Sequence, residues 1–174
     1  MTGALVAGVL VLSAVGSLLW AVPSKTEKRH AEMRALAMQH GLSLTTLNIA
    51  DTSERGRIDA RRRLITGYKV RPQGRFRARL PELTVVRTEG EHGYGLPVGW
   101  VWHEPSYRLR SPELDCLLDC LAGLPDWVEC LTVMSDGVAM GIEEKGGAER
   151  IEQVVSLLEN RRAILYEVIS SNPV

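Results

Sequence analysis

The chain has 174 residues, with 21 lysines and arginines against 21 aspartates and glutamates and a formal net charge of zero. That length is short enough for one compact domain plus an anchor. The three cysteines (Cys116, Cys120 and Cys130) are an odd number, which argues for reduced thiols and against a disulfide framework.

Residues Gly3 to Val22 form an uncharged run of twenty ending just past Trp20. At about 1.5 Å of rise per residue a helix of that length covers roughly 30 Å, one hydrocarbon core. The run lacks a charged start and a clean small-x-small exit, so it reads as a retained anchor rather than a signal peptide. Lys25, Lys28, Arg29 and Arg34 follow it, which by the positive-inside rule keeps residues 23–174 in the cytoplasm and the N-terminus outside. Gly3, Ala7, Leu10, Ala14, Ser17 and Ala21 share one helix face, and all but Leu10 are small. A small-residue face lets another membrane helix approach closely. Gly3, Ala7, Ala14, Ser17 and Ala21 are therefore candidate docking residues for an integral-membrane partner. The competing reading is the ordinary composition of a span.

Ser24-Lys25-Thr26-Glu27 has the capping-box pattern, predicting a membrane-proximal helix to about His40 with Gly41 as its stop. Met33, Leu36, Ala37 and His40 give it a modest apolar stripe. Leu42 to Ala50 alternates as a strand. From Glu54 to Arg79 there are ten basic residues against two acidic, a net charge of +8. Residues 51–63 hold few apolar residues and read as a mobile loop, within a basic mobile segment 51–79. Strands are expected at Ile65–Val70, Leu83–Thr88 and Val98–His103. Between the last two, Glu89 to Gly99 holds four glycines and a proline and reads as a flexible loop.

Ser111-Pro112-Glu113 is a helix start, with Leu114, Leu117, Leu118 and Leu121 at helical spacing. Val128–Met134 and Val138–Ile142 flank Ser135-Asp136-Gly137, a hairpin signal. A long helix from about Ala148 to Ile169 places Ile151, Val154, Val155, Leu158, Leu165 and Ile169 on one face, interrupted by Arg161 and Arg162. Leu80 to Val174 carries sixteen acidic and seven basic residues, a net −9, so the neutral total hides a dipolar molecule. The irregular order of strands and helices predicts an α+β fold: a transmembrane helix at 1–23, a membrane-proximal helix at 24–41, and a small cytoplasmic domain at 42–174. In that domain an antiparallel sheet carries its helices on one face.

The search for chemistry is brief. The pattern GxxxxGK[ST] is absent around Lys145-Gly146-Gly147, and Gly93-Tyr94-Gly95 lacks the strand and helix of a dinucleotide site. Cys116 and Cys120 lie four apart on a helix, but no nearby histidine completes a metal site with Cys130. Glu143-Glu144 reads as a solvated hairpin end. His103-Glu104 beside Trp102 is the one candidate site wall, and it has no third orienting group. No catalytic residue, cofactor or metal is expected. The basic residues Arg55, Arg57, Arg61, Arg62, Arg63, Arg75, Arg77 and Arg79, with Lys25, Lys28 and Arg29, are candidates for contact with anionic lipid or an acidic partner. RNA is an alternative ligand, with Tyr68 and Phe76 for stacking. A further alternative is internal pairing with the acidic half of the domain.

The opening Leu-Trp-Ala-Val-Pro-Ser (residues 19–24) with Glu27-Lys28-Arg29, and the later Leu124-Pro125-Asp126-Trp127-Val128-Glu129, Gly137-Val138 and Glu144-Lys145-Gly146-Gly147, carry a resemblance. The chain resembles uncharacterised single-pass inner-membrane proteins of Gram-negative bacteria, some labelled as the small auxiliary subunit of the preprotein translocase. The resemblance implies an anchored topology and no catalytic residue. The expected function is a non-catalytic accessory or assembly subunit of an inner-membrane complex. The alternative is a tethered module that binds RNA or an acidic protein through residues 55–79, and the third reading is an enzyme around His103 and Glu104.

Overall fold

The computed structural model describes Ser13 and residues 23–52, 58–71, 83–90, 93–103, 111–134 and 136–170. The first helix, α1, spans Lys25–Gln39. Both capping-box bonds form at its start: Ser24 N–H donates to Glu27 Oε2 (2.6 Å) and Glu27 N–H to Ser24 Oγ (3.1 Å). It ends at Gly41, whose φ of 77° is open to glycine at no steric cost. Leu42 N–H then reaches back to Ala37 O and Gly41 N–H to Met38 O, each at 3.0 Å, satisfying carbonyls that the helix leaves without partners.

The strands are β1 (Ser43–Asp51), β2 (Ile58–Val70), β3 (Leu83–Arg87), β4 (Trp100–Trp102), β5 (Val128–Met134) and β6 (Gly137–Ile142). Two further helices, α2 (Ser111–Leu121) and α3 (Ala148–Ser170), complete the described elements. Among the described residues no helix is long and apolar enough to cross a membrane. The 23-residue α3 has the length but carries charges in nearly every turn. The expected fold of a transmembrane helix plus a small domain is corrected accordingly: the described residues form one antiparallel sheet with three helices. Of the run 3–22 behind that expectation, only Ser13 lies within the described residues.

A second correction concerns the basic segment. Residues 58–70, whose first half had read as a mobile loop, form the longest strand, paired to β1 from Asp51↔Ile58 to Ser43↔Lys69. The sheet order is β1-β2-β6-β5-β3-β4 with every neighbouring pair antiparallel.

The main core lies on one face of this sheet. Met33 and Ala37 of α1, Leu117, Cys120 and Leu121 of α2, and Ile151, Val154 and Leu158 of α3 pack there against Tyr68, Val85, Leu131 and Met140. The opposite face holds a second cluster of Leu47, Ile49, Val86, Val101, Cys130 and Ala139, with Ile65 and Met134 against it. This second cluster joins β1 to β4, the two outermost strands. In a flat sheet they would stand about 24 Å apart, five spacings of roughly 4.8 Å. Yet Ala50 N–H donates to His103 Nδ1, just beyond β4, at 3.2 Å. The sheet is therefore curled into a half-barrel around its second core.

Two glycines make room for the curl. Gly67 and Gly141 face each other across the β2–β6 ladder. A Cβ on Gly67 would lie 2.7 Å from Leu47 Cδ1, and one on Gly141 would overlap Ile65 Cδ1 and come within 2.6 Å of Cys130 Sγ. Leu47 and Ile65 thus occupy space that side chains at 67 and 141 would fill. Gly67→Val should lower the unfolding free energy by about 1–3 kcal/mol through overpacking. Gly147→Ala, with nothing within 4 Å of its added carbon, should change it by less than about 0.5 kcal/mol. Urea denaturation of both variants checks this.

Candidate functional site

The predicted contact residues separate into three groups. Gly3, Ala7, Ala14, Ser17 and Ala21 lie outside the described residues, as do Arg55, Arg57, Arg75, Arg77, Arg79 and Glu104. Lys25, Lys28 and Arg29 are exposed on the first turns of α1, and Arg61 and Arg62 are exposed on β2. Arg63 and Lys69 are turned inward to acids of the C-terminal half. Arg63 holds Glu129 at 3.1 and 3.2 Å, and Lys69 Nζ holds Asp136 Oδ2 at 2.7 Å. Arg63, one of the residues expected to contact lipid or an acidic partner, thus has its two terminal guanidinium nitrogens paired with an acid of its own domain. Arg62 lies against His103, with Nη1 2.7 Å from Nε2.

A buried polar joint went unread in the sequence. Glu144, expected in solvent, has a side chain only 11 % exposed. It accepts two hydrogen bonds from Arg34 (3.0 and 2.7 Å) and one from Tyr68 Oη (2.8 Å), with His30 Nδ1 at 3.4 Å. Arg34 also donates to Thr66 Oγ1 at 3.0 Å. The joint ties α1 to β2 and to the segment after β6. Burial pushes the Glu144 carboxyl up, but the hydrogen bonds from Arg34 and Tyr68 and the nearby positive charge outweigh it and hold the group below its ordinary value. Burial and the adjacent carboxylate push the Tyr68 hydroxyl well above its own, so it stays a donor.

Two arginines act as main-chain clamps. Arg87 donates to Val128 O (2.8 Å), Leu124 O and Pro125 O (3.0 Å each), with its guanidinium 4.6 Å from the Trp100 ring centre. Arg161, which seemed to interrupt the apolar face of α3, donates to Cys120 O (2.7 Å) and Ala122 O (3.2 Å) and so caps the end of α2. The cysteines do not converge. Cys120 belongs to the main core and Cys130 to the second, and burial pushes their thiols up to about 11 and about 12. Cys116 is half-buried.

The feature best placed to meet another molecule is the turn before β4. Gly93 N–H donates to Trp100 O (2.7 Å), Leu96 N–H to Gly93 O (2.9 Å), Trp100 N–H to Pro97 O (3.2 Å) and Thr88 N–H to Gly99 O (3.0 Å). The Trp102 indole N–H donates to Tyr94 O at 3.0 Å. Leu96 is buried, and Gly95, at φ 74°, lies where a Cβ would touch Leu114 of α2 at 3.2 Å. This fixed backbone holds Tyr94 96 % exposed and Val98 81 % exposed. The glycine-rich composition had read as flexibility. The signal available in the sequence was Tyr94 and Val98 flanking Leu96 and Pro97 between two strands.

None of the protein families, curated proteins or solved structures compared with this chain matches it.

The polar joint has a pH signature. The Glu144 carboxyl titrates below its ordinary 4.5 in the folded chain. Below that value the unfolded chain binds more protons, so the stabilisation is complete above about pH 5 and is lost as pH falls through the folded value. Glu144→Gln should flatten the acid limb of the stability profile below pH 4.5. At pH 7 it should cost about 1–2 kcal/mol, a figure kept low because Arg34 is 41 % exposed and screened by solvent. Urea melts from pH 3 to 7 on both chains check the slope.

Proposed function

We propose that this chain is a non-catalytic accessory subunit that docks on a partner protein through Tyr94 and Val98. The observation that carries the reading is the 96 % exposure of Tyr94 on a backbone held by five hydrogen bonds. An aromatic ring in water gains free energy when a partner covers it, and tyrosine is enriched among the residues that dominate interfaces. A preformed loop loses little conformational entropy on binding, so more of that gain becomes affinity. Val98 extends the apolar surface beside it.

The reading through the basic segment, with RNA or an acidic protein as ligand, draws less support. Arg63 and Lys69 are paired with Glu129 and Asp136, and Arg62 lies on His103. The two ion pairs with Glu129 and Asp136 lower the net positive potential that would attract a polyanion.

The test is affinity purification of the tagged full-length chain at native abundance. Tyr94→Ser combined with Val98→Ser should lower recovery of a stoichiometric partner at least about tenfold, equivalent to 1.4 kcal/mol. Both side chains are in solvent, so the circular dichroism and melting of the double variant should match the parent. Equal recovery from parent and variant would remove the loop from the interface.

A further inference from the structure

The two edges of the sheet are treated differently. Over β4, Gly93 N–H occupies Trp100 O and residues 93–99 cover the outer side. Among the described residues no such cover lies over β1. Ala50 N–H points outward to His103, and the alternation of an antiparallel strand puts the N–H and C=O groups of Leu44, Thr46 and Asn48 on that same outward side. Among the described residues nothing pairs with those groups. Edge strands of monomeric proteins are usually blunted by a charge, a proline, a bulge or a cover. From Ser43 to Ala50 there is no charge and no proline, and the register shift comes only at Ala50/Asp51.

We propose that β1 pairs antiparallel with β1 of a second copy of this chain, continuing the sheet across a two-fold axis at Thr46. The outward residues are symmetric about that position. Thr46 faces the partner's Thr46, and Leu44 faces the partner's Asn48 in both directions. Each is a hydrogen-bonded pair that exchanges two main-chain bonds, giving about six in all. Thr45 then lies opposite the partner's Leu47. A donor and acceptor row that matches its own reverse suits an isologous interface, and the uncharged edge brings no like charges together. Thr46 and Asn48 are exposed and Leu44 is half-buried, so their side chains gain cover from the second sheet.

Sedimentation velocity of the full-length chain at micromolar concentrations tests the pairing. The parent should run as a dimer. Thr46→Lys and Thr46→Glu should each place two like charges at the axis and weaken dimerisation at least tenfold. An equal mixture of the two should restore a dimer, which also guards against a variant that merely misfolds. A parent that stays monomeric overturns the proposal, leaving the edge to an extended segment of some other protein. So does a Thr46→Lys chain that dimerises as tightly as the parent, or a mixture that stays monomeric. Tyr94→Ser should leave the dimer intact, so loss of loop docking and loss of edge pairing are read separately.

Discussion

Where Gly67 faces Gly141, two adjacent strands carry no side chain toward the second core, and the rest of the architecture follows from that gap. Leu47 and Ile65 settle into it. The β1–β2 pair can then curl over the sheet until Ala50 meets His103. Without the curl, Ile49 and Val101 would lie on opposite margins of an exposed face rather than in one cluster. A sheet with helices on one face has to do something with the other. Here it buries that face against itself, so a domain of modest size gains a second core without a second layer. Thr84 and Thr132, whose hydroxyls lie 3.1 Å apart on neighbouring strands, satisfy each other within this interior.

The charge segregation has a related explanation. A strand with three consecutive arginines is a poor match for a core, yet alternation sends Arg63 to one face and Arg62 to the other. The curl carries Arg63 to Glu129, while Lys69 meets Asp136 at the hairpin turn. The +8 and −9 segments are in this part complementary pieces of one surface, and the dipole expected from the linear sequence is reduced on folding. Glu144 adds a second tie. One carboxylate serves Arg34 and Tyr68 together, and it is the polar contact that holds α1 against the half-barrel. A partly buried pair of this kind contributes modestly to stability, and losing the carboxylate leaves the Tyr68 hydroxyl without its acceptor.

Local chemistry was legible in the sequence; distant pairing was not. The capping box at Ser24–Glu27, the glycine stop at Gly41, the Asp136-Gly137 turn and the periodic face through Ile151, Val154 and Leu158 each act within a few residues, and each element appears within a residue or two of its expected place. The first half of β2 failed because charge density hid its alternation, and the acid that accepts Arg63 lies 66 residues away. Glu144 failed for the same reason: its partners Arg34 and Tyr68 are 110 and 76 residues distant. Tyr94 is not legible as an anchor because the glycines around it signal conformational freedom. Positive φ at Gly95 and Gly99 shows them in another role, as the residues that let a tight turn close.

That turn serves two ends with one set of bonds. The N–H of Gly93 that occupies Trp100 O protects the β4 edge, and the Trp102 indole that holds Tyr94 O fixes the ring outward. Edge protection and display of the aromatic are then inseparable: a looser turn would bare Trp100 and Trp102 and also let Tyr94 fold back onto them. The sheet is closed on this side by its own chain, and among the described residues the apolar surface it offers there is the small one at Tyr94 and Val98. On the β1 side the main chain itself is offered. A side-chain anchor of two residues tolerates many shapes of partner, whereas a row of main-chain donors and acceptors accepts only an extended strand in register. The two margins therefore differ in what they select, and a second copy on one leaves the other free to meet a different protein.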